Sequence, residues 1–114
     1  MREVLLKVDE IIKQYNESNN FSPTELSDMM RQLSTNLYFL ESHRVNYYKL
    51  FHEQVRTLKN QGWSINAAEN EAEVKIPELY ELRRKMTQAN KVFEGMRSHL
   101  SQLKIEMQNM DLHV

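Results

Sequence analysis

The sequence predicts an all-α protein. The expected form is a long antiparallel, coiled-coil-like helical hairpin with a shorter N-terminal helix packed on its open end, making a three-helix bundle in one domain over residues 1–114. Three observations predict it. Only two Gly and two Pro punctuate 114 residues, a composition that favours helix over a sheet with its turns. Apolar residues recur every three or four positions, the period of an amphipathic helix. Between Pro23 and Gly62 no Gly or Pro interrupts that period. One helix of about 38 residues results, roughly 57 Å long at about 1.5 Å per residue.

The first helix spans about residues 1–18. Val4, Val8, Ile11 and Tyr15 form one stripe, and Leu5 and Ile12 widen it. Asn16, Ser18, Asn19 and Asn20 end it, because their side chains compete for the backbone hydrogen bonds of a helix. The short turn folds this helix back along the second.

The second helix spans about residues 22–61. Ser22 is its N-cap, Pro23 occupies its first position, Glu25 can reach back to the cap N–H, and Phe21 can staple onto Leu26. The inward set is Leu26, Met30, Leu33, Leu37, Leu40, Tyr47, Phe51, Val55 and Leu58. After Leu40 the next inward position falls on Arg44, and the stripe shifts toward Tyr47, Tyr48 and Phe51. Gly62 is the expected left-handed residue that ends the helix, and Ser64 is placed to cap the next helical segment.

The third helix spans about residues 64–111. Its start is weak in apolar area (Ala67, Ala68, Ala72). Pro77 either starts a new helix or kinks a continuous one close to Ile76. From Leu79 the repeat is regular: Leu82, Met86, Ala89, Phe93, Met96, Leu100, Leu103, Met107 and Met110, of coiled-coil quality. Gly95 within it either allows a close helix approach or is simply tolerated at about 1 kcal/mol against Ala. The methionines either fill the core or line an adaptable partner groove. Arg44, Lys49, Arg56 and Lys59 face the stretch Glu69–Glu81, with five Glu against Lys75, so opposite charges are expected to meet near the closed end.

Composition excludes several functions. There is no Cys, hence no disulfide, thiolate metal site or cysteine nucleophile. No Gly-rich phosphate loop and no Glu-x-x-His or His-Glu-x-x-His spacing occurs. His43 and His52, nine residues apart, point to opposite sides of their helix. The expectation is therefore no enzyme, no metal and no cofactor. A net charge of −1 gives no bulk attraction to nucleic acid or anionic membrane. The longest apolar run, Leu37-Tyr38-Phe39-Leu40, is too short to span a bilayer. The start Met1-Arg2-Glu3-Val4 lacks the apolar core of a signal peptide, so the expected location is cytoplasmic.

Two local surfaces remain. Arg44, Tyr48, His52, Arg56 and Lys59 have 4-4-4-3 spacing and line one slowly drifting face of the second helix, while Arg83 and Arg84 add cations on the third. Charges for phosphates with interleaved rings for bases suit single-stranded nucleic acid. The alternative is that these cations pair with flanking carboxylates. Tyr47, Tyr48, Phe51, Val55, Leu58 and Trp63 lie beyond the reach of the first helix. They are the expected interface of a homo-oligomer.

Glu73-Val74-Lys75 with Leu79, the segment Glu94-Gly95-Met96-Arg97-Ser98, and the aromatic-basic helix from Leu37 to Lys59 carry a resemblance. The chain resembles small all-helical accessory proteins of tailed phages, and more specifically phage recombination-mediator proteins. Pro77 and the acidic run before it depart from the family pattern. The resemblance implies a non-catalytic oligomer in the host cytoplasm that binds single-stranded DNA, helps load a recombinase, and has recombination or replication proteins as partners. The rival expectation is a protein–protein adaptor, or an inhibitor of a host factor, with no nucleic-acid binding.

Overall fold

The protein, described here from a computed structural model covering residues 1–18 and 20–112, is all-α. Four helices succeed one another among the described residues: α1 (Arg2–Glu17), α2 (Pro23–Asn60), α3 (Ile65–Lys75) and α4 (Pro77–Leu112). Asn19, one of the residues expected to end α1, lies outside the described residues. The expectation of three helices is thus corrected to four, for a local reason. Pro77 has no N–H to give, and its ring disfavours a helical residue before it. Ile76 accordingly sits at φ −125° and ψ 67°, and its own N–H closes α3 on the Ala72 carbonyl.

The ends of α2 are set by residues one can point to. The Ser22 hydroxyl accepts the Glu25 N–H at 3.1 Å, with Pro23 next in line. At the other end Gly62 takes φ +94°. The Gly62 N–H donates to the Lys59 carbonyl and the Trp63 N–H to the Leu58 carbonyl, which is the Schellman arrangement that satisfies orphan carbonyls. Ser64 then caps α3 by accepting the Ala67 N–H.

All other helices pack on α2, α4 most extensively. The core runs through Leu5, Val8, Ile11 and Ile12 of α1, Leu26, Leu33 and Leu40 of α2, and Leu82, Ala89 and Met96 of α4. Toward Gly62 the core thins to Leu58, Ala68, Ala72 and Leu79. No polar side chain of the described residues is buried. The molecule is a rod, 75 × 24 × 20 Å. End to end, α3 and α4 run about 70 Å against about 57 Å for α2, at about 1.5 Å per residue. The end of α4 therefore overruns its support, and Met107 and Met110, expected in the core, are exposed.

Phe21 packs against the core cluster that contains Leu26. It stacks on Tyr15 at 5.7 Å, and both rings meet His99 of α4 edge-on at 6.3 Å. This cluster ties the α1–α2 turn to α4. With the Lys85–Asp9 ion pair between α4 and α1, it fixes the side of the α2–α4 pair that α1 covers. The expected meeting of opposite charges near Gly62 does not occur. Ala68 and Ala72 are the buried residues of α3, and Glu69 and Glu73 are exposed. Glu71 pairs with Lys75 on its own helix. Among the described residues, Lys85–Asp9 is the one ion pair that joins two helices. Among the described residues no helix is long and apolar enough to cross a membrane.

Candidate nucleic-acid interface

Arg44 falls where the inward stripe of α2 would continue from Leu40, and its side chain is 32% exposed. Glu41, one turn earlier, answers it with two hydrogen bonds: Arg44 Nε donates to Oε2 at 2.9 Å and Nη2 to Oε1 at 2.6 Å. This forked geometry is the strong form of a carboxylate–guanidinium pair. It holds the Glu41 carboxyl below its ordinary range, chiefly through the hydrogen bond, with partial burial opposing. Arg44 is in turn pushed above its ordinary value by the same hydrogen bond.

The pair leaves the guanidinium 6.0 Å from the Tyr48 ring centroid. From α4, the Arg83 guanidinium approaches the same ring to 5.5 Å. His52 meets Tyr48 edge-on at 4.4 Å, and Phe51 stacks beside it at 6.1 Å. Tyr48 is thus held by two cations from two helices while 36% of it stays exposed. Both cation–ring distances lie within the range of cation–π attraction. Arg56 and Lys59 continue from this cluster toward Gly62, lining a shallow hollow with His52, Val55 and Asn60.

The structure therefore joins Arg44, Tyr48, His52 and Arg83, with Arg56 and Lys59 next along α2. Arg84 is not among the groups at the Tyr48 ring; it lines a second hollow together with Arg83, Tyr80, Thr87, Gln88 and Lys91. Among the described residues Arg56, Lys59, Arg83 and Arg84 make no ion pair within 4.0 Å, so the expected neutralisation by flanking carboxylates applies to Arg44 alone of the candidates. Of the six expected interface residues, Leu58 is only 4% exposed. It is covered within its own chain, because alanines on α3 let the helix come close. Tyr47, Phe51 and Val55 are half-buried, and Trp63 is 42% exposed.

Sequence spacing along α2 could not show the Arg83–Tyr48 contact. Its one trace is that Arg83 directly succeeds the core residue Leu82, which puts it at the edge of the helix interface. Among the described residues no three His, Asp or Glu side chains come together in a way that could hold a metal ion. Fold and site together define a rod-shaped helical protein with a basic-aromatic cluster shared by two helices. Comparison with known proteins finds no matching family model, no matching characterised protein and no matching solved structure.

Proposed function

We propose that this is a non-catalytic, oligomeric accessory protein of phage type that binds single-stranded DNA. On this reading α2 and the α3–α4 arm form a hairpin, with α1 on its open end. One observation carries the binding proposal: Tyr48, partly exposed between the Arg44 and Arg83 guanidinium groups with His52 against it. A base can stack on an exposed ring, while Arg83, Arg56 and Lys59 stand free to neutralise phosphates. The test is fluorescence anisotropy with a labelled oligonucleotide at low and moderate salt. Binding that weakens steeply with salt and is lost in Tyr48→Ala supports the proposal. No binding at micromolar protein in low salt refutes it. Recombination or replication proteins would be the partners of such a complex, in the host cytoplasm.

Self-association belongs to the same proposal. Trp63, Tyr48, Phe51 and Val55 lie partly open near the thin end of the core. Covering several aromatic rings could favour association by several kcal/mol before the entropy loss is counted, at about 25 cal/mol per Å² of apolar area. Light scattering should give a multiple of the chain mass, lowered by Phe51→Glu or Trp63→Glu. A single-chain mass that persists as concentration rises refutes it.

A second reading is favoured by a different observation: large apolar side chains away from this cluster, Tyr38, Val74 and Tyr80, are each over two-thirds exposed. They suit an adaptor or an inhibitor of a host factor. A stoichiometric partner captured from host lysate after nuclease treatment, together with failure to bind the oligonucleotide, would select it.

A further inference from the structure

The break at Pro77 leaves a hollow of about 650 Å³ at the elbow between α3 and α4. Its apolar wall comes from Val74, Ile76, Pro77, Leu79 and Tyr80, and Arg83 stands at its edge. The reason lies in the packing. Helices α3 and α4 spend Ala68, Ala72, Leu79 and Leu82 on the core. Neither helix can then turn Val74 or Tyr80 inward, and these are 75% and 72% exposed. A continuous helix would hold the two residues apart along a convex surface. The bend imposed by Pro77 brings them to one concave site, of the size that takes a side chain or small ligand.

Charge around the hollow is divided between its two sides, with Glu73 on α3 and Arg83 on α4. Beyond Arg83 the surface continues through Arg84 and Lys91, which with Tyr80, Thr87 and Gln88 line the adjoining hollow. Among the described residues none of these three cations makes an ion pair within 4.0 Å. The carboxylate at the site, Glu73, belongs to α3. An apolar pocket with uncompensated cations along one side fits a ligand that is apolar at one point and anionic a short distance away.

We propose that the α3–α4 elbow docks an acidic, amphipathic protein segment. An aliphatic or aromatic side chain of that segment enters between Val74 and Tyr80, and one or two carboxylates about a helical turn away meet Arg83, Arg84 and Lys91. The aliphatic wall suits an apolar side chain and not the phosphates of a nucleic acid strand. The proposal does not depend on DNA binding at Tyr48.

A displayed library of random dodecapeptides, panned against the full-length chain with Val74→Glu as counter-selection, tests it. Enriched peptides should carry Leu, Ile, Phe or Trp with Asp or Glu three or four positions away. Their synthetic forms should bind the wild type and lose roughly tenfold or more in affinity to Val74→Glu and to Arg84→Glu, as expected when a docking anchor or its charge partner is reversed. Both substitutions are at exposed positions, so the fold should persist, and circular dichroism checks this. Oligonucleotide binding should be unchanged in Val74→Glu, so that loss of one activity is told apart from loss of the other. The proposal is overturned by no enrichment, by peptides without carboxylates, or by peptides that bind Val74→Glu equally well. It is also overturned if Val74→Glu lowers the mass in light scattering, since the elbow would then be a contact between copies of this chain.

Discussion

Replacing Gly95 by Ala should stabilise the protein. Gly95 lies inside α4, where glycine costs about 1 kcal/mol against alanine because its backbone loses more freedom on folding. A glycine at such a place is justified when a neighbouring helix leaves no room for a Cβ. Here there is room: a Cβ at residue 95 would meet the Tyr15 hydroxyl at 3.9 Å, an ordinary van der Waals distance. The expected gain is therefore the full propensity difference, about 1 kcal/mol, which for a domain of this length raises the melting temperature by about 4 °C. Thermal unfolding monitored by far-UV circular dichroism, with urea titration as a check, measures it. Gly62→Ala is the opposite case. Nothing lies within 4 Å of the added carbon, but φ is +94°, a conformation that costs an L-residue about 1–2 kcal/mol. That variant should melt lower. If Gly95→Ala also melted lower, α1 would lie closer to α4 than the Tyr15 distance shows, and the assignment of the covered side of the α2–α4 pair would fail with it.

The ion pairs yield further outcomes. Lys85 is held by Asp9 and also donates to Gln88, and its side chain is 14% exposed. Asp9→Ala should therefore cost about 1–2 kcal/mol in urea unfolding, more than Glu94→Ala, which breaks the exposed pair with Arg97 and should cost under about 0.5 kcal/mol. Glu41 has its folded pKa depressed by Arg44, so its contribution is present at neutral pH and is lost as pH falls through that depressed value. The melting temperatures of wild type and Glu41→Gln should differ modestly at neutral pH, by the equivalent of about 0.5 kcal/mol, and converge in acid below the ordinary carboxylate range.

Local devices were legible in the sequence, and relations between distant helices were not. Ser22, Pro23, Gly62 and Ser64 each act on the turn they sit in, so the ends of α2 and the start of α3 could be read directly. The hydrophobic period gave the inward faces of α1, α2 and α4, because burial needs one stripe per helix whatever the partner. Periodicity carries no information about how long that partner is, and so Met107 and Met110 continue the pattern past the end of α2. Nor does it show how near the partner comes: Leu58, read both as inward and as part of an interface, is 4% exposed within the single chain. Pro77 was visible, yet break and kink differ only in whether Ile76 stays helical. The charge count did not give the pairing: the surplus of Glu in α3 is real, but among the described residues none of its carboxylates lies within 4.0 Å of a cation of α2.

The consecutive cations Arg83, Arg84 and Lys85 show how far azimuth governs the candidate site. Each step along a helix turns the side chain by about 100°, so three like residues in a row reach three different surroundings. Arg83 reaches the Tyr48 ring and also lines the hollow to which Arg84 turns, while Lys85 reaches the carboxylate of Asp9 on α1. A single basic patch would respond alike to the loss of any of the three. Here the responses should separate. Lys85→Glu faces Asp9 with a like charge and should lower the melting temperature while leaving oligonucleotide affinity intact in the folded protein. Arg83→Glu should weaken oligonucleotide binding with little loss of stability, since Arg83 is an exposed residue. Arg84→Glu should change neither, and should be felt only by an acidic segment at the elbow. Equal losses of DNA affinity in all three would mean that the helices present one undivided cationic surface, and that Tyr48 has no special place in it.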